Sequence, residues 1–213
     1  LRNTPGGLIV RVDETLAFYK DSSRFRLRGT EDPSIYKDPA TRRVVGNIGN
    51  SMLTIADTLR AAGDYAGAEA VTRMALQRLP FLSSALYLWA DLMGDQGKID
   101  EIQALLDTVN VNDRLRGPID TLRLRVSLAR AYRRRERPNE AASILQETLD
   151  IKPDYRRAFD ELMRIYVQSQ NMRKVVETLR AWVAHNPDDV QTRETLRRLE
   201  SGIGQQTGDS GRQ

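Results

Sequence analysis

The side chains best able to recognise a charged group recur at a fixed place in this sequence. Asp57, Asp91, Arg130, Arg164 and Arg198 stand 34, 39, 34 and 34 residues apart. A second series, Asn50, Ser84, Arg123 and Arg157, keeps step with the first. Acids lead the column and arginines finish it. A guanidinium presents a planar fork of N–H donors that matches a carboxylate or a phosphate, so the C-terminal arginines suit an acidic partner. The same residues also fit solvated helix faces, with Asp160, Glu161 and Glu194 as internal partners. Other chemistry is thin. The chain has no cysteine, which removes thiolate nucleophiles, disulfides and cysteine-held zinc. Its single histidine, His185, stands beside Asp188 and Asp189 without a third strong metal ligand, and reads as a helix-end residue. GGLIVRV lacks the Gly-Lys-Ser/Thr ending of a phosphate loop. We therefore expect no catalytic residue, cofactor or metal in this chain.

The densest basic stretch, RLRVSLARAYRRRER from Arg123 to Arg137, invites a nucleic-acid reading. Such binding wants exposed aromatics between the cations, and the one aromatic here, Tyr132, falls on core spacing. A basic solvated helix accounts for the segment, and no nucleic-acid partner is expected. The net charge of +4 is mild, and 40% apolar with 29% charged residues suits a folded domain. No apolar run approaches the length needed to span a membrane. With Leu1 in place of an initiator Met, the chain is expected to be an excised part of a longer product, and a membrane is expected only through a missing N-terminal part.

These columns need elements that repeat. Gly63 and Gly97 are 34 residues apart, as are Pro153 and Pro187. Each follows or closes a helical apolar pattern, and self-similarity at this period marks stacked helix hairpins. Small residues at Ala56, Ala68 and Ala75 let paired helices approach, while Leu, Tyr, Phe and Trp fill the gap to the next unit. Trp89 and Trp182 are read as packing residues. Pro138 opens the second helix of its unit. The period and the small–aromatic–alanine–proline skeleton resemble the tetratricopeptide repeat (TPR). The expected fold is all-α: a TPR-type α-solenoid, a right-handed superhelix of helix hairpins. The expected divisions are a non-repeat segment over 1–38 with a short strand and the DETLAFYKD helix, an extended first unit over 39–82, a second with a loop insertion over 83–121, a third over 122–155, a fourth over 156–189, a capping helix over 190–200, and a disordered tail over 201–213. Asn110, Asn112 and Gly117-Pro118 are expected as turn residues of the insertion.

The TPR resemblance implies a protein-interaction scaffold whose inner groove is lined by the first helix of each hairpin. Asp57, Asp91, Arg123, Arg130, Arg157, Arg164 and Arg198 would line it, and a protein or peptide partner, acidic in character, would occupy it. The carboxylate clamp of chaperone-binding TPRs needs Lys or Asn at positions that here are Leu53, Asp57, Leu88, Arg123 and Ser127. Only Arg123 suits, so that assignment is excluded.

Residues 6–80 carry a second resemblance. GGLIVRV, RFRLRGTEDPSIYKD and TRRVVGNIGNSMLTIADTLRAAGDYAGA, with Gly29, Asp32, Pro33, Tyr36 and Asp38 in order, are similar to the soluble C-terminal tail of bacterial multi-pass membrane glycosyltransferases related to protein O-mannosyltransferases. Gly46 and Gly49 stand where bulkier residues are usual in that family. The resemblance implies that catalysis belongs to a membrane part outside this chain and that the tail faces the periplasm. A stand-alone TPR adaptor, with a cytoplasmic location, is the alternative.

Overall fold

A computed structural model describes residues 2–3, 9–10, 12–21, 29, 32, 35–36, 38–79, 82–111 and 119–209. Two short strands, β1 (Arg2–Asn3) and β2 (Ile9–Val10), pair antiparallel with Arg2 opposite Val10. Helix α1 (Val12–Lys20) follows, and its Tyr19 is buried among residues of the next helix. The rest is helical. The hairpins are α2 (Pro39–Ala61) with α3 (Tyr65–Arg78), α4 (Ser83–Asp95) with α5 (Ile99–Val111), α6 (Thr121–Arg134) with α7 (Pro138–Ile151), and α8 (Arg156–Gln168) with α9 (Met172–His185). Helix α10 (Val190–Asp209) closes the array. Each hairpin packs on the next, which makes the repeat region a helical solenoid.

Local chemistry sets the boundaries. Asp38 accepts hydrogen bonds from the Ala40 and Thr41 amides and starts α2, with Pro39 at its first position. Asp64 and Asn171 cap α3 and α9 through the Gly67 and Lys174 amides. The four hairpin turns share one backbone. Gly63, Gly97, Glu136 and Gln170 all have positive φ, between 54° and 80°. In each turn the following amide reaches back to close the helix end: Asp64 to the Leu59 carbonyl, Lys98 to Met93, Arg137 to Tyr132 and Asn171 to Tyr166. Two turns therefore use glycine, and two hold an ordinary residue in the left-handed region.

Ala56, Ala68, Ala75, Ala90, Ala129 and Ala141 are fully buried where helices cross. One apolar cluster joins α1 to α6 and another joins α6 to α10, so α6 belongs to both. Helices α4 and α6 approach closely at Gly94. A Cβ on Gly94 would sit 2.6 Å from the Ser127 carbonyl oxygen, so only glycine fits. Trp182 does more than pack. It stacks on Phe159 at 4.3 Å between centroids, and its Nε1–H donates to Asp189 at 2.8 Å.

Two boundaries differ from expectation. Asn110 lies inside α5 rather than in a turn; its helical neighbours outweigh its modest turn preference. Helix α10 continues past Glu200 through the stretch expected as a disordered tail. That stretch contains no proline, and its glycines each lower helix propensity by only about 1 kcal/mol. The disorder expected at 210–213, the turn at Asn112 and Gly117-Pro118, and Pro33 of the N-terminal motif lie outside the described residues.

Candidate interaction surface

The first helices of the hairpins (α2, α4, α6, α8) and α10 align their equivalent positions. Counting from Gly49, Ser83, Leu122, Arg156 and Val190, the ninth residues are Asp57, Asp91, Arg130, Arg164 and Arg198, the sixth are Thr54, Leu88, Ser127, Glu161 and Thr195, and the second are Asn50, Ser84, Arg123, Arg157 and Gln191. In two successive pairs of helices a ninth residue meets the sixth of the next helix. Ser127 Oγ–H donates to Asp91 Oδ1 at 2.7 Å, and Arg130 Nε–H donates to Glu161 Oε1 at 2.8 Å. A second residue can also reach back to the previous ninth, as Arg123 does to Asp91 at 3.4 Å.

These contacts turn half of the expected column into an internal network. Asp91 is buried and takes three donors from α6: Ser127, Arg123 and Arg130, the last at 3.2 Å. Glu161 is buried and receives Arg130; Arg164 lies 3.5 Å from the same oxygen. Glu161 Oε2 is buried without a hydrogen-bond partner. At the N-terminal end Asp57 pairs with Arg60 at 3.3 Å, and Arg60 Nε–H donates to Asp95 at 2.6 Å. Burial works against the Arg60 charge, but the bond to Asp95 and the nearby acids outweigh it and raise its pKa.

The remaining column residues are more exposed. Arg157 is exposed and makes no ion pair or hydrogen bond among the described residues. Arg164 is 54% exposed at its side chain, and Arg198 is 81% exposed with only Glu194 at 3.6 Å. Asp160, on the flank of α8, pairs with Arg156 rather than with the column. In the basic segment Arg125 pairs with Glu147, Arg135 donates to the Gly97 carbonyl, and Arg137 pairs with Glu140 over the Tyr132 ring.

Two aromatic and acidic junctions set the spacing of the hairpins. Tyr155 Oη–H donates to Asp120 Oδ2 at 3.0 Å, and the Asp120 amide donates to Tyr87 Oη at 2.6 Å, which ties three units together. Burial and the adjacent carboxylate push the Tyr155 hydroxyl well above its ordinary pKa. Asp189 caps α10. The Thr192 hydroxyl bonds it most strongly, burial opposes ionisation, and the Thr192 amide, Trp182 Nε1 and Arg156 add to the pull; the net effect lowers its pKa to about 2. Sequence reading missed Arg60, Ser127, Glu161's double role and Asp189. Their signal was present, because Glu161 and Ser127 occupy the same sixth position.

On the opposite side, α7, α8 and α9 enclose a groove of about 510 Å³ floored by Leu149, Phe159, Leu162 and Trp182. His185 lies at its end, and its Nδ1–H donates to the Ala181 carbonyl at 2.9 Å. No three acidic or histidine side chains converge to hold a metal among the described residues.

The tetratricopeptide-repeat family profile matches residues 124–159, which hold most of α6, all of α7 and the start of α8. Among solved structures, the crystal structure of the P58(IPK) TPR domain is similar at 15% identity and a TM-score of 0.31, over 92% of this chain. The chain spans 66% of the length of that domain. No curated protein matches. What this chain shares with a described family is thus a tetratricopeptide repeat, seated on the helices that carry Arg130 and Glu161.

Proposed function

We propose that the chain is a non-catalytic scaffold that holds a protein partner along the face shared by α2, α4, α6, α8 and α10, and that it serves as the soluble tail of a membrane glycosyltransferase. The carrying observation is the TPR match within a solenoid whose charged residues align on one helix face. Stacked hairpins of this kind present extended surfaces suited to partners rather than enclosed reaction sites. The glycosyltransferase context is supported by the ordered motif Gly29, Asp32, Pro33, Tyr36 and Asp38 ahead of the first hairpin, and it carries an extracytoplasmic location with it.

Two measurements test the two parts. Photo-crosslinkers at Asn50, Ser84 and Gln191 should capture a protein in native cells, while a crosslinker at Arg173 on α9 should not. Absence of crosslinks from the shared face refutes the scaffold reading. An antibody to this domain should detect a membrane-bound band far heavier than 24.2 kDa. A soluble band near that mass refutes the tail reading and leaves a free adaptor.

A further inference from the structure

The repeat allows one hairpin to be compared with the next at the same positions. Arg125 on α6 and Phe159 on α8 are equivalent, 34 residues apart. Arg125 donates to Thr148 and pairs with Glu147, both on α7. The equivalents of those two residues on α9 are Trp182 and Ala181. A cation with two polar partners is thus replaced by a stacked aromatic pair beside a methyl group. Helices α7 and α9 both pack on α8, and the trough between them keeps the apolar floor that this exchange creates. Its walls restrict what can lie there. On α9 the lining residues are Lys174, Glu177, Thr178, Ala181, Trp182 and His185, a stripe at helical spacing about 16 Å long. Lys174, the cation of the lining, is engaged by Glu177 at 3.3 Å. Asp150, on the α7 wall, is exposed and makes no hydrogen bond or ion pair among the described residues. His185 spends its Nδ1–H on the Ala181 carbonyl, which leaves Nε2 as an acceptor. The charge left over is negative, and a cation complements it.

We propose that this groove is a second docking site, separate from the shared face, and that its occupant is an amphipathic helix of a partner protein with a lysine or arginine beside its apolar stripe. Both walls are helices whose backbone groups bond internally, so no open edge receives the backbone of an extended guest. The amides of such a guest would lie on Leu149, Phe159 and Leu162 without partners, which is costly. A helix brings its own backbone bonds and lays an apolar face on the floor. Three turns of helix match the length of the α9 stripe. Ala181, small and exposed, leaves room for close approach at the middle of that wall, and the free carboxylate of Asp150 receives the cation of the guest. Arg173 is off the stripe, roughly 110° round α9 from its middle, and faces neither surface.

The test is fluorescence anisotropy with a labelled alanine-based peptide that carries leucines at i, i+4 and i+7 and lysines flanking that stripe, against a counterpart with glutamate at each lysine. The lysine peptide should bind saturably, and the glutamate peptide about tenfold more weakly. Asp150→Lys should weaken the lysine peptide and tighten the glutamate peptide, a reversal that loss of structure cannot produce. Ala181→Gln should weaken the lysine peptide by taking its space, with the circular-dichroism melt unchanged because the site is exposed. Asp100→Lys, an equal charge change at an exposed acid of α5, should leave both affinities unchanged. No saturable binding, equal affinity of the two peptides, no reversal in Asp150→Lys, an equal change in Asp100→Lys, or undiminished binding of a lysine peptide broken by a central proline would each overturn the proposal. So would a dimer of this chain in sedimentation that Ala181→Gln dissociates, since the groove would then hold a second copy. The shared face takes no part in this test, so the scaffold reading stands or falls separately.

Discussion

Arg130→Met is the sharpest test of the internal network. The guanidinium bridges two carboxylates whose side chains are only 12% and 7% exposed, Asp91 and Glu161. Removing one partner from a fully buried ion pair costs about 3–5 kcal/mol, because the other charge is left behind; an exposed pair is worth about 0–1 kcal/mol. Arg130 is 24% exposed, and both acids keep a fallback: Ser127 and Arg123 for Asp91, Arg164 for Glu161. The expected cost is about 2–3 kcal/mol, which lowers the melting temperature by roughly 4–12 °C for a chain of this size. Methionine keeps the aliphatic stem, so lost packing contributes little. Urea unfolding followed by far-UV circular dichroism reads the cost. Adding Glu161→Gln should recover part of it, with a coupling of about 1–3 kcal/mol in the double-mutant cycle. A cost below about 0.5 kcal/mol, or no coupling, would show that these charges behave as a solvated surface pair and would refute the network. Arg130→Glu would place a third carboxylate between two buried ones, so its effect on binding cannot be separated from its effect on folding.

Other outcomes follow from single sites. Glu136→Gly and Gln170→Gly should each stabilise the chain by about 1 kcal/mol in urea unfolding, because both hold the left-handed conformation that Gly63 and Gly97 adopt freely. Gly94→Ala should destabilise by about 1–3 kcal/mol, since its Cβ would meet the Ser127 carbonyl, whereas Gly46→Ala, with open space around its Cβ, should stabilise by up to about 1 kcal/mol. Asp189 has a folded pKa near 2 against about 3.9 unfolded. Its contribution is therefore complete above pH about 4 and disappears as pH falls from there toward about 2. Asp189→Asn should remove that component of acid unfolding, and unchanged acid dependence would refute its role.

The repeat was legible because its marks are residue types at fixed spacing: Gly63 and Gly97, Pro153 and Pro187, the buried alanines. Glu136 and Gln170 were not legible as turn residues, because nothing in their chemistry announces positive φ; the surrounding helices impose it. The charged column could be counted from sequence, but its pairing could not. The bond from Asp91 to Ser127 spans 36 residues and that from Arg130 to Glu161 spans 31. Those offsets depend on how far one helix slides along the next, which spacing within a helix does not encode. Gly94 was hidden for the same reason, since its need for a missing side chain arises from a helix in another unit.

The step of 39 residues between Asp91 and Arg130, against 34 elsewhere, places five extra residues between the second and third hairpins. A longer connection closes at little extra entropic cost, but it no longer dictates how α4 meets α6. Something else must set that register. Gly94 permits backbone contact at one offset only. Asp91 at that offset receives all three of its donors from α6. A slide of one helical turn, about 5.4 Å, would bring a Cβ-bearing residue against Ser127 and strand a buried carboxylate. The three donors to Asp91 thus hold the register where the longer connection does not, and the repeat resumes in step beyond it. Beyond Glu161 the sixth position of α10 is Thr195 rather than an acid, so Arg164 keeps only its long contact with Glu161 and Arg198 its pair with Glu194 within α10.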